Sequence, residues 1–210
     1  MVIVIKKCEN KDRYMKSIYD IYEVRSLKNY MSDKLTVGGT YSNRILLFDV
    51  DDTLIHSNAK IGVIKNGEKI KELTPAEFNY YKLGSGESYD FEQFRSYEGL
   101  LDSEFLPFWK TMKREYNKGT HVGILTARED GDMFKKFFLN HGIDIKDELI
   151  FTTGDPDYDG SVENRKTQAI ERLIKVGYKT FVFFDDSEAN LREVKKMEKT
   201  HDIKVITIKA

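Results

Sequence analysis

One cysteine, no apolar run long enough to cross a bilayer, and no excess of either charge are the first things this sequence offers. Each shortage removes a class of protein. The lone Cys8 excludes an internal disulfide framework and a multi-cysteine zinc site, and reads as an ordinary thiol in the first strand region. Without an apolar run of membrane-spanning length there is no transmembrane helix to expect. Met1–Ile5 is too short for a secretory core and is followed, not preceded, by Lys6-Lys7. With 34 Lys+Arg against 35 Asp+Glu, nothing in the total points to nucleic acid or to a membrane surface, and no basic stripe stands out. The Gly-x-x-x-x-Gly-Lys-Ser/Thr loop that cradles nucleotide phosphates is absent as well. We therefore expect a soluble cytoplasmic protein in a reducing compartment. At 210 residues, with 40% hydrophobic content, 13 Phe and 12 Tyr, it can build one domain of moderate size plus an appendage.

What is present begins at Ile45-Leu46-Leu47-Phe48, an apolar stretch that reads as a buried strand. It runs directly into Asp49-Val50-Asp51-Asp52-Thr53. So many carboxylates at the end of a buried strand are costly unless compensated. A divalent cation that prefers oxygen ligands is the simplest compensation, and Mg²⁺ fits because it takes one or two carboxylates and leaves room for waters and a phosphate. The plainer alternative is an acidic turn that caps a helix.

Upstream, residues 1–44 form an arm, with a short strand expected at Val2–Ile5, a helix over 11–30 and a linker at Gly38-Gly39. Edge packing, self-association and docking of a partner protein are the roles open to it. Downstream, Asn66-Gly67 between Ile61–Ile64 and Lys69–Leu73 predicts a hairpin with a type I′ turn. Thr74-Pro75 predicts the start of a short helix through Tyr81, which Gly84-Ser85-Gly86 ends. Tyr89–Gly99 shows no clear period. The spacing of Phe105, Phe108, Trp109, Met112 and Tyr116 predicts a helix over 103–118. Strands follow at His121–Leu125, Glu148–Phe151, Thr180–Phe184 and Ile203–Ile208, with helices between them. That alternation is an α/β domain over 45–210, a Rossmann-like parallel sheet with helices on both faces and an insert of about residues 55–100. Ligands in such sheets bind beyond the carboxyl ends of the strands. Asp49 and Asp51, Thr126 and Arg128, and Asp185 and Asp186 all fall at those ends.

Asp49-Val50-Asp51-Asp52-Thr53 resembles motif I of the haloacid dehalogenase superfamily, Asp-x-Asp-x-Thr/Val at the end of the first core strand. The resemblance covers residues 45–190 and leaves out the arm. It implies a phosphohydrolase with a hairpin flap and a minimal cap. Asp49 would be the nucleophile that forms an aspartyl-phosphate. Asp51 would act as acid and then base, with its backbone carbonyl on the metal. Asp52 would cap the following turn. Thr126 matches motif II and would bind the phosphoryl group. Arg128 would offer its planar fork to phosphate oxygens or else sit in a surface salt bridge. Lys166 is the candidate for motif III, with Arg165 as the adjacent alternative. Asp185-Asp186 resembles motif IV, one ligating Mg²⁺ and the other orienting a metal water or Lys166.

A minimal cap leaves the site open to bulky substrates. Thr126-Ala127-Arg128, Asn164-Arg165-Lys166 and Phe184-Asp185-Asp186-Ser187 are similar to the phosphatase domain of polynucleotide kinase-phosphatases. The phosphorylated substrate implied is a nucleotide, a nucleic-acid 3′-phosphate end or another small phosphomonoester. A catalytically silent binding module and a phosphotransferase on the same scaffold are the competing readings. The presence of both Asp49 and Asp51 weighs against the first.

Overall fold

The computed structural model describes residues 43–78 and 80–210. The strand, helix and linker expected within residues 1–42 lie outside the described residues, and with them nearly all of the arm.

The first strand, β1 (Arg44–Phe48), is apolar on both faces after Arg44 and lies at the centre of a five-stranded parallel sheet. An insert follows: β2 (Ile55–His56), β3 (Ile61–Lys65), β4 (Glu68–Leu73), α1 (Pro75–Phe78), β5 (Glu87–Asp90), α2 (Glu92–Arg95), α3 (Tyr97–Leu101) and β6 (Glu104–Phe105). The chain returns to the main layer with α4 (Pro107–Asn117), β7 (Val122–Thr126), α5 (Gly131–Asn140) and β8 (Ile150–Thr152). It ends with α6 (Val162–Lys175), β9 (Thr180–Asp185), α7 (Glu188–Lys196) and β10 (Lys204–Lys209). No helix among the described residues is long and apolar enough to cross a membrane.

The main sheet runs β10-β9-β1-β7-β8, so the chain first builds outward from β1 on one side and then crosses to build on the other. Parallel crossovers are right-handed, so reversing the direction moves the helices to the opposite face: α4 and α5 on one side, α6 and α7 on the other. The reversal occurs at β1. That is where an open α/β sheet leaves a crevice beyond its strand ends. Phe48 stacks on Phe184 across the β1–β9 pair at 4.3 Å between ring centres, fixing the two strands whose next residues are Asp49 and Asp185. Ser161, Ser187 and Asp130 cap the helices α6, α7 and α5, each side chain accepting from a backbone N–H in the first turn.

The insert is larger than a hairpin. Asn66 and Gly67 both have positive φ (53° and 82°), as the predicted type I′ turn requires. A third strand, β5, adds to the other side of β3, giving the order β4-β3-β5. Glu87-Ser88-Tyr89-Asp90 was too short and too polar to show a period. Ile61, Val63 and Leu73 form the buried centre of this small sheet, and Phe78, Tyr81, Tyr89, Phe91 and Phe94 pack against it.

Three boundaries differ from expectation. The helix predicted over 103–118 starts at Pro107, because Glu104-Phe105 pairs as a strand with Ile55-His56. The helix after Thr74 ends at Phe78, although Thr74 and Glu77 form a reciprocal cap at its start. The strand predicted at Glu148–Phe151 is a 3₁₀ turn over Asp147–Leu149 that leads into β8.

Candidate functional site

The polar residues at the sheet's carboxyl end come from four segments. Asp49 extends β1, Thr126 ends β7, Lys166 lies in the first half of α6 and Asp185 ends β9. All four side chains are buried.

Lys166 is the hub. Its Nζ donates to Asp49 Oδ1 at 2.8 Å and to Asp185 Oδ2 at 2.6 Å. Of the two residues named for this position, Lys166 joins the carboxylates and Arg165 does not. Burial works against the ammonium, yet Asp49 and then Asp185 outweigh it and hold its pKa above the ordinary lysine value. One cation between two carboxylates leaves the pair undercompensated. Asp49 is accordingly pushed up to about 7, chiefly by burial, with Lys166 opposing the shift and Asp185 and Asp51 adding to it.

Asp185 is held from several directions. Its Oδ1 accepts the Ser187 N–H at 2.8 Å, and Asn190 Nδ2 donates to Oδ1 and Oδ2 at 2.9 and 3.1 Å. Asp186, next along, is exposed, and its pKa is raised by partial burial and by the charges of Asp185 and Asp52. Asp49, Asp185 and Asp186 each offer an oxygen within 4.8 Å of the others, a set that can hold a metal ion. Three hard oxygen donors and an excess of negative charge over Lys166 suit a cation of the Mg²⁺, Mn²⁺ or Ca²⁺ kind. The Asp51 carboxylate is not part of that set.

Asp51 is instead clamped by Arg128. The guanidinium donates from Nε to Oδ2 at 2.8 Å and from Nη2 to Oδ1 at 2.5 Å, a two-pronged pair. Arg128 is itself buried, donates from Nη1 to the Phe94 carbonyl at 3.1 Å, and lies over the Phe94 ring at 4.8 Å. The expected phosphate fork is thus occupied by an internal carboxylate, and the salt bridge that was the alternative is half-buried, with Arg128 enclosed and Asp51 partly exposed. Thr126 accepts the Arg128 N–H through its hydroxyl at 3.2 Å, and its carbonyl takes both the N–H and the hydroxyl of Thr153. Asp52 adopts a left-handed backbone (φ 54°) and bonds His56 Nδ1 at 2.6 Å, so its carboxylate faces a histidine rather than capping a turn.

A cleft of about 430 Å³ has Asp51 and Arg128 in its wall, while Asp49, Lys166, Asp185 and Asp186 are not among its lining residues. Ile61, Phe78, Phe91 and Phe94 give it an apolar side contributed by the insert; Arg95 and Arg165 also line it.

Sequence reasoning missed Asn190 and Phe94. Asn190 was legible in principle, as a polar residue on the first turn of the helix after Asp185. Phe94 was not, because it lies in the stretch without a period. Neither protein-family models nor curated proteins give a match to this chain.

Proposed function

We propose that the protein is a Mg²⁺-dependent phosphomonoester hydrolase that works through an aspartyl-phosphate on Asp49. The observation that carries this reading is the Lys166 bridge between Asp49 and Asp185, with Asp51 two residues beyond the nucleophile at the same sheet end. A carboxylate nucleophile needs a fixed direction and a neighbouring positive charge, and Lys166 supplies both.

An Asp49 oxygen attacks phosphorus, the bond to the ester oxygen breaks, and Asp51 delivers a proton to the departing alkoxide. Water then attacks the acyl phosphate and gives its proton to Asp51, releasing inorganic phosphate and restoring both carboxyls. Both Asp51 oxygens are held by Arg128 in the resting arrangement. Arrival of a phosphoryl dianion draws one guanidinium N–H to itself, freeing an Asp51 oxygen that takes up a proton from solvent and so becomes the acid of the first step, while keeping Arg128 on the substrate. The Thr126 hydroxyl is a further donor at the strand end. Asp49 and Asp186 would hold the metal through their side chains, with the Asp51 carbonyl, as the resemblance implies, as a third protein ligand. Asp185, saturated by Lys166, Ser187 and Asn190, positions the lysine. When bound, Mg²⁺ would neutralise the excess carboxylate charge and stabilise the negative charge of the transferring phosphoryl group.

The test is phosphate release, with and without Mg²⁺, from p-nitrophenyl phosphate, nucleoside 5′- and 3′-monophosphates and an oligonucleotide bearing a 3′-phosphate. Metal-dependent release that disappears in Asp49→Asn is the expected result. No release from any compound by folded, Mg²⁺-bound protein would overturn the reading.

A further inference from the structure

Three arginines line the cleft that Asp51 borders, and two of them are already neutralised. Arg128 is forked onto Asp51, and Arg95 pairs with Glu129 at 3.1 Å. Arg165 forms no ion pair among the described residues, and its Nε is sealed from solvent without a hydrogen-bond partner. A buried donor left unmatched costs stability, and Arg165 can gain an acceptor only where its guanidinium opens on the cleft. Successive residues on a helix point about 100° apart. Helix α6 therefore sends Lys166 to Asp49 and Asp185 while Arg165 enters the cleft.

The cleft's other wall is aromatic. Phe78 meets Phe91 edge-on at 5.6 Å, and the Phe94 ring carries the Arg128 guanidinium on its face. A cavity with an unneutralised cation on one side and aromatic rings on another complements a body that is itself divided, apolar and ring-like but carrying an anion. Asp51 lines the same cleft, so that body would lie where the leaving group of a phosphoryl ester departs.

We propose that Arg165 binds a second anionic group on the substrate, a phosphomonoester whose apolar ring body rests against Phe78, Phe91 and Phe94. The proposal rests on the phosphohydrolase reading for the placement of the first phosphoryl group, but the anion site can be measured without turnover. Two ring chemistries meet the description, an aryl acid and a nucleotide, and the test separates them.

Asp49→Asn protein would be titrated calorimetrically in Mg²⁺ with two matched pairs. One pair is phenyl phosphate and 4-carboxyphenyl phosphate; the other is adenosine 3′-monophosphate and adenosine 3′,5′-bisphosphate. The second anion should tighten binding about tenfold or more in one pair, the size expected for a charge-assisted contact, and that pair names the ring chemistry. Adding Arg165→Gln should bring the ratio close to one, and Arg165→Lys should restore part of it. Equal affinities within both pairs would overturn the proposal without reference to any variant. So would a ratio that survives Arg165→Gln. Turnover of the same compounds by the wild-type protein reads the hydrolase reaction separately. An Arg165-dependent ratio without turnover would leave the anion site standing and remove the hydrolase. Turnover without a ratio would do the reverse.

Discussion

At the scale of single residues, the site is a problem in counting charge. Asp49 and Asp185 share one lysine in a buried place, and Asp49 responds by holding its proton up to about pH 7 instead of the ordinary 3.8. Between those two values the folded protein binds a proton that the unfolded chain has released. Stability without divalent metal should therefore fall as pH rises from about 4 to 7 and level off above, a change on the order of a few kcal/mol. Asp49→Asn removes the titrating group while keeping its shape. Urea unfolding in EDTA should show that this variant has lost most of the slope and is the more stable protein at pH 8. An unchanged slope would mean that Asp49 is ionised in the folded state across the whole range. The Arg128 clamp gives a second expectation. Arg128→Lys keeps the charge but cannot engage both Asp51 oxygens or lie flat on Phe94. It should cost about 1–3 kcal/mol in unfolding free energy, towards the low end because Asp51 is partly exposed. Loss of the fork should also slow phosphate release by tenfold or more, whereas a purely structural Arg128 would lower stability and leave release intact.

At the scale of elements, the parts most legible in the sequence are those where local pattern and tertiary environment agree. The all-apolar run before Asp49 could only be a central strand, and Asn66-Gly67 could only be a tight turn. The helix with Phe105 in its stripe was misjudged at its start. Phe105 stacks on Trp109 at 4.2 Å from a neighbouring strand, so an i, i+4 spacing was satisfied without a continuous helix. Residues 87–101 stayed opaque because their structure depends on pairing with β3, which no local period encodes. In the site, the strand-end carboxylates could be read from position, whereas Lys166 came only through the family resemblance, with Arg165 beside it as the alternative. That Arg128 would turn to Asp51 could not, since it follows from a contact between residues 77 apart in the chain. The loop that carries Arg128 is held by another distant element. Gly154 N–H bonds the Arg128 carbonyl at 3.1 Å, and a Cβ on Gly154 would come within 2.4 Å of the Ala127 carbonyl oxygen and 2.9 Å of the Arg128 carbonyl carbon. Gly154→Ala should therefore push the Thr126–Arg128 loop away, at about 1–3 kcal/mol of stability. It should also reduce phosphate release further than Gly131→Ala, whose added Cβ meets only ordinary van der Waals contacts, the nearest at 3.7 Å. Equal effects of the two substitutions would show that the loop accommodates the methyl group freely.

At the scale of the whole molecule, the described residues hold two cores of unequal strength. The five-stranded sheet buries large side chains on both faces, Phe48, Phe181 and Phe183 among them, each contributing about 1.5–3 kcal/mol. The three-stranded sheet has only Ile61, Val63 and Leu73 fully buried and relies more on polar ties. Two of those ties are carboxylates. Glu87 accepts from Gly84 N–H at 2.8 Å and Tyr81 Oη at 3.0 Å, and these bonds hold it below the usual glutamate range. Glu77 is lowered by the Thr74 N–H it caps. A carboxyl with a depressed folded pKa stabilises above its unfolded value near 4.5 and loses that contribution as pH falls through the folded one. Acidification towards pH 3 should accordingly loosen the small sheet before the large one. Hydrogen exchange should show amides of β3, β4 and β5 losing protection while those of β1 and β9 keep theirs. Glu87→Gln at pH 7 should reproduce part of the effect. Because Phe78, Phe91 and Phe94 ride on the small sheet, the same step should weaken binding in the cleft before the fold around Lys166 gives way. Simultaneous loss of protection in both sheets would show instead that the insert and the main sheet unfold as one cooperative unit.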